Sequence, residues 1–166
     1  MALSSRTIQQ GLVVGLIGYA SVAALYAAFD FIAARGALYT VDLLGKSVFE
    51  GLRDPSVLGL PMQLDVTAIV WYSALHLLIS LVIGLIVTGL VEQAEQRPSL
   101  APMVLSTILA GFVVTIVAVG LLTASIRPLL PWWSIVVANA LAVLLAGGYL
   151  LHKRPGTWRR LSPFAG

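Results

Sequence analysis

The sequence predicts an all-α integral membrane protein, with four transmembrane helices in an antiparallel bundle and an amphipathic interfacial helix between the first two. One observation is composition: the 166 residues are 59% hydrophobic and 10% charged, against about 45–50% and about 25% in soluble domains. Another is length: four apolar stretches reach the roughly 20 residues that a helix needs to cross a bilayer. A soluble enzyme, a secreted domain and a disordered protein are therefore disfavoured.

The first predicted helix covers residues 11–32 and carries no charge before Asp30. Its apolar run is longer than the roughly 7–15 residues of a signal-peptide core, so we expect a retained helix. Asp30 lies near the membrane boundary, where a structural ion pair with Arg127 or Arg35 is expected. Gly11 and Gly15 have the spacing of the motif that lets two helices approach closely.

The connection that follows contains a segment, residues 38–53, with apolar residues close to helical spacing and charged residues on the opposite face. The charged residues are Asp42, Lys46, Glu50 and Arg53. The pattern predicts an amphipathic helix at the outer membrane surface, ended by Asp54-Pro55. Its apolar side either packs on the bundle or offers a docking surface for a partner domain.

The second predicted helix, residues 66–91, begins after a capping Asp65 and carries a polar row at every fourth position. This polar row consists of Tyr72, His76, Ser80, Gly84 and Thr88. Because lipid cannot satisfy hydroxyl or imidazole groups, the row should face protein. It is either a packing surface or, through His76, a proton carrier or an axial ligand to haem or a pigment.

The third and fourth predicted helices, residues 101–123 and 132–151, follow short connections that favour antiparallel neighbours. Asn139 is expected to bond a neighbouring helix. Pro131 suits the first position of the fourth helix, and Trp132 and Trp133 are expected to anchor it at the membrane interface.

Charge in the connections predicts orientation, because Lys and Arg concentrate on the cytoplasmic side. Six of them fall on the side of the two chain ends, four of these in the tail at 152–166, and four fall on the other side. We therefore expect a multi-pass protein of the bacterial inner membrane with both termini in the cytoplasm. The basic tail should touch lipid headgroups, and it is too small a surface for nucleic acid.

No catalytic set or metal site emerges from the sequence, which has no cysteine and two histidines at different depths. The predicted function is a small non-catalytic subunit of a larger respiratory, photosynthetic or transport complex, giving helix-packing and lipid or cofactor contacts. No cofactor is required by the sequence. Two alternatives stay open: an oligomeric small transporter or channel with a polar pathway past His76, and a single haem or pigment held by His76 together with a partner.

Overall fold

The computed structural model describes residues 4–51 and 63–156, and within these ranges every secondary-structure element is helical. The α-helices are α1 (Ser5–Ile32), α2 (Tyr39–Gly45), α3 (Val66–Gln96), α4 (Ala101–Leu122) and α5 (Trp132–Lys153). Four of them, α1, α3, α4 and α5, are long and apolar enough to cross a membrane. The chain is thus a helical, multi-pass membrane protein.

Local capping explains where the long helices begin. The Ser4 hydroxyl oxygen accepts the backbone N–H of Thr7 at 3.1 Å, so α1 begins at Ser5 rather than at residue 11. The capping function predicted for Asp65 is confirmed, since its carboxylate accepts the N–H groups of Thr67 and Ala68 at 2.7 and 3.1 Å. These bonds, that of Ala68 above all, lower the pKa of Asp65. Pro131 precedes α5 instead of being its first residue.

The predicted amphipathic helix at 38–53 is shorter than expected. After α2 the chain continues as one π-helical turn, Lys46–Glu50. This helical turn ends at Gly51, whose φ of +69° is a left-handed conformation that glycine adopts readily. The helix therefore stops before Asp54-Pro55, the signal expected to end it. Those two residues and the end of the predicted segment lie outside the described residues.

The orientation expected for this segment is wrong in part, although Leu44 of its apolar face is buried. Asp42 and Lys46, assigned to the outer polar face, are buried, whereas Val48 and Phe49 are about half exposed. These two charged side chains can be buried because both have hydrogen-bond partners within the protein. The Asp42 carboxylate accepts the Lys46 ammonium at 2.8 Å and the backbone N–H of Asp65 at 3.0 Å, and Lys46 also donates to the Gln63 carbonyl.

The long helices do not pack evenly. The most extensive contact is between α1 and α3, followed by that between α1 and α5, while α4 touches α3 and α5 only lightly. In α4, Ala101 and Val104 near its beginning are the buried residues. At the opposite end of the bundle, α2 and the α4–α5 connection form an apolar cluster of Tyr39, Leu43, Leu44, Ile126 and Leu130. The protein is therefore a unit in which α1 packs against both α3 and α5, with α4 attached more loosely to α3 and α5.

Candidate functional site

The polar row of α3 is divided between backbone packing and side-chain contacts. At Gly84 the backbones of α1 and α3 touch: a Cβ atom there would lie 2.5 Å from the amide nitrogen of Gly15 and closer still to the Gly11 carbonyl oxygen. On the facing helix, a Cβ at Gly15 would lie 2.6 Å from the Ser80 carbonyl oxygen. This part of the row is a helix-packing contact in which glycine is required on both sides.

His76 lies in an aromatic cluster that bridges α1 and α3. The centroid of its ring is 5.3 Å from that of Tyr19 and 6.1 Å from that of Tyr72. Within residues 4–51 and 63–156, ring contacts are the interactions that the structure gives the imidazole, and neither nitrogen has a hydrogen-bond partner there. Tyr19 belongs to this cluster but is not among the predicted site residues. Its signal in the sequence is that it shares a face of α1 with Tyr26 and Asp30.

Two further predicted site residues, Thr88 and Asn139, differ in whether their side chains are hydrogen-bonded. Thr88 is fully buried, and its hydroxyl finds no hydrogen-bond partner in the described part of the chain. Asn139 donates from Nδ2 to the Ile135 carbonyl at 2.8 Å, four residues back on its own helix, instead of to a neighbouring helix. One hydrogen bond between α1 and α5 is made instead by the hydroxyls of Tyr26 and Ser134, which are 3.2 Å apart.

Asp30 is fully buried, and its ion pair is with Arg35 rather than Arg127. The Arg35 guanidinium is 3.9 Å from the carboxylate, which also accepts the backbone N–H and the hydroxyl of Thr40 at 2.6 and 2.8 Å. The turn after α1 brings Arg35 back, because its backbone N–H bonds the Asp30 carbonyl. The side chain of Arg127 is exposed. This group of residues ties α2 to the end of α1.

A second buried polar cluster lies at the other end of the bundle, around Arg154. Its guanidinium donates to Gln10 Oε1 at 2.7 Å, to Glu95 Oε2 at 2.5 Å and to the Thr7 hydroxyl at 2.9 Å. One side chain thus joins α1, α3 and the end of α5. The sequence places Arg154 in a solvated basic tail, so its burial at 8% relative exposure is a correction.

The interfacial tryptophans begin α5. Trp132 and Trp133 are 65% and 48% exposed, and the Trp133 ring meets Phe29 edge-on at a centroid distance of 6.1 Å. Anchoring at the membrane surface stays a prediction for both residues. Two other cations of the tail, Arg159 and Arg160, lie outside the described residues.

An open cleft of about 570 Å³ lies at the end of the bundle where α1 begins and where α3 and α5 end. We call it the terminal cleft; its lining includes Arg6, Glu92, Glu95, Gln96, Lys153 and Arg154. Within the two described ranges, no group of three or more His, Asp or Glu residues is placed to hold a metal ion. Comparison with protein-family models, curated proteins and solved structures gives no match for the chain.

Proposed function

We propose that the protein is a small non-catalytic subunit of a larger bacterial membrane complex, in which it supplies helix-packing surface. The single observation that carries the proposal is the contrast between the closely packed helices α1, α3 and α5 and the exposed helix α4. The unit of α1, α3 and α5 is closed by backbone contact at Gly84 and by the polar clusters of Asp30 and Arg154. Helix α4 leaves most of its surface open.

The open surface of α4 has a composition suited to another helix as well as to lipid. Large apolar residues such as Val114 and Leu122 are 65% and 73% exposed. Among them, Gly111 and Gly120 have open space where a Cβ atom would lie. Small residues let a second helix come close in a membrane, where dispersion and interhelical hydrogen bonds replace the hydrophobic effect. A transmembrane helix of a partner subunit is the proposed occupant.

The proposal includes an antiparallel bundle in the inner membrane with both chain ends in the cytoplasm. Its support is that the start of α1 contacts the end of α5 through Thr7 and Arg154, while Tyr26, near the end of α1, contacts Ser134 at the start of α5. The Lys and Arg residues of the sequence favour the cytoplasmic side for the ends.

The experiment is purification from native membranes in a mild detergent, with a photo-crosslinking residue at Gly111. We expect another membrane protein to co-purify and to be crosslinked from Gly111 far more than from Val82, an exposed position on α3. Gly111→Leu should reduce recovery of that partner without lowering the melting temperature, because no other atom lies within 4 Å of the position of an added Cβ atom. Crosslinks to lipid alone from both positions, with nothing co-purifying, would contradict the proposal.

The aromatic cluster favours a second candidate function, binding of one haem or pigment by His76 together with a partner. The specific observation is the imidazole that has ring contacts but no hydrogen bond in the described chain. A ligating histidine needs such a free ring nitrogen. The alternative of an oligomeric transporter with a pathway past His76 has no comparable support, because the backbones of α1 and α3 touch farther along the same row.

A visible absorption spectrum of the gently purified complex tests the second candidate. A haem or pigment on His76 predicts a visible band that disappears in His76→Ala, because that substitution removes the ligating nitrogen. Ser80→Ala is the matched control and should keep the band, since Ser80 contacts α1 through its backbone carbonyl. A colourless complex, or a band that survives His76→Ala, would contradict ligation by this residue.

A further inference from the structure

We propose that the terminal cleft binds the headgroup of a phospholipid bearing a primary ammonium group, the phosphatidylethanolamine class. The cleft lies where three of the long apolar helices begin or end. Headgroups occupy the zone outside the hydrocarbon core, at the ends of membrane-spanning helices. Its volume of about 570 Å³ and its open shape admit a headgroup from the side. This inference does not depend on the proposed function.

The charges that line the cleft are of both signs, and one pair is already satisfied. Arg154 and Glu95 bind each other at 2.5 Å. That leaves two exposed cations, Arg6 and Lys153, and the half-buried carboxylate of Glu92. In the described chain Glu92 has neither a hydrogen bond nor an ion pair.

Both cations line the cleft, one from each of two helices. The guanidinium of Arg6 donates to the backbone carbonyl of Lys153 at 3.2 Å, which joins the first turn of α1 to the last residue of α5. Two cations that line one cleft can share a phosphodiester through charge-assisted hydrogen bonds. The carboxylate of Glu92, which lines the same cleft, can accept a hydrogen bond from an ammonium group. The lining therefore complements a headgroup that carries both charges.

This arrangement discriminates between headgroups by chemistry. Ethanolamine offers N–H donors to Glu92, choline has no N–H to offer, and glycerol has no positive charge. A lipid is favoured over a free phosphate ester because apolar surface continues from the cleft along α1, where Ile8 and Leu12 are 42% and 39% exposed. Acyl chains can cover that surface and a soluble phosphate ester cannot.

The test is native mass spectrometry of the full-length protein in mild detergent, with phosphatidylethanolamine, phosphatidylcholine and phosphatidylglycerol supplied at equal concentrations. We expect the ethanolamine lipid to be retained about tenfold more than the choline lipid. Glu92→Gln should remove this preference without lowering retention of the glycerol lipid. Arg6→Ala with Lys153→Ala should reduce retention of all three.

Arg97→Ala is the matched control, since it removes an exposed cation of the neighbouring α3–α4 connection that does not line the cleft. It should bind lipid as the unchanged protein does. Melting temperatures identify any variant that fails to fold, and the single variants Arg6→Ala and Lys153→Ala then replace the double one. Equal retention of the three lipids, or no effect of Glu92→Gln, would overturn the proposal. So would displacement of the lipid by soluble phosphoethanolamine at equal concentration.

Discussion

Gly84→Ala is expected to destabilise the bundle by about 2 kcal/mol, within the usual range for overpacking a tight contact. The new methyl group would collide with the backbone at Gly11 and Gly15. Backbone atoms cannot move aside as a flexible side chain does, so α1 and α3 must separate. The most extensive helix contact of the protein is then weakened along its length. The measurement is thermal unfolding in a mild detergent, followed by circular dichroism.

The matched controls are Gly18→Ala on α1 and Gly111→Ala on α4. Neither glycine has another atom within 4 Å of the position of an added Cβ. Since alanine is the better helix former by about 1 kcal/mol, both variants should be as stable as the unchanged protein or more stable. A Gly84→Ala protein that melts together with these controls would contradict the backbone contact. Gly15→Ala should resemble Gly84→Ala, and the double variant should lose less than the two effects added.

The long helices and their capping could be predicted because the signals are local. An apolar run of sufficient length specifies a spanning helix without reference to the rest of the chain. Asp65 likewise caps α3 through bonds to residues two and three positions ahead. The glycine spacing of α1 also identified a surface for close approach, and the structure adds that Gly84 is its partner.

What could not be predicted depends on partners far away in the sequence. The four-residue spacing of Asp42 and Lys46 indicates a pair, but the same spacing occurs on exposed and buried faces. Burial is decided by Gln63 and the backbone N–H of Asp65, which satisfy the charges from another segment. Arg154 is a clearer example, because two of its acceptors belong to the first turns of α1. The prediction that Arg154 is a solvated cation of the tail therefore gave no sign of the buried polar cluster around it.

Arg154→Ala is expected to cost about 3 kcal/mol, as removal of one partner of a buried charged pair usually does. The guanidinium is nearly buried and donates to three side chains on two other helices. Without it, Gln10 keeps a buried amide oxygen with no donor, and the 2.5 Å ion pair with Glu95 is lost. Thermal unfolding in mild detergent measures the loss. Arg127→Ala, which removes an exposed arginine, should change stability by no more than about 0.5 kcal/mol.

Arg154→Lys separates the effect of charge from that of geometry. A lysine keeps the positive charge but concentrates it on one flexible ammonium group, whereas the planar guanidinium holds its donors in fixed directions. One ammonium cannot easily reach Thr7, Gln10 and Glu95, which are bound by three different nitrogens of Arg154. We therefore expect a stability between those of the unchanged protein and Arg154→Ala. If Arg154→Lys were fully stable, a single charge beside Glu95 would be sufficient, and the three-way connection of α1, α3 and α5 would not be what holds this end of the bundle together.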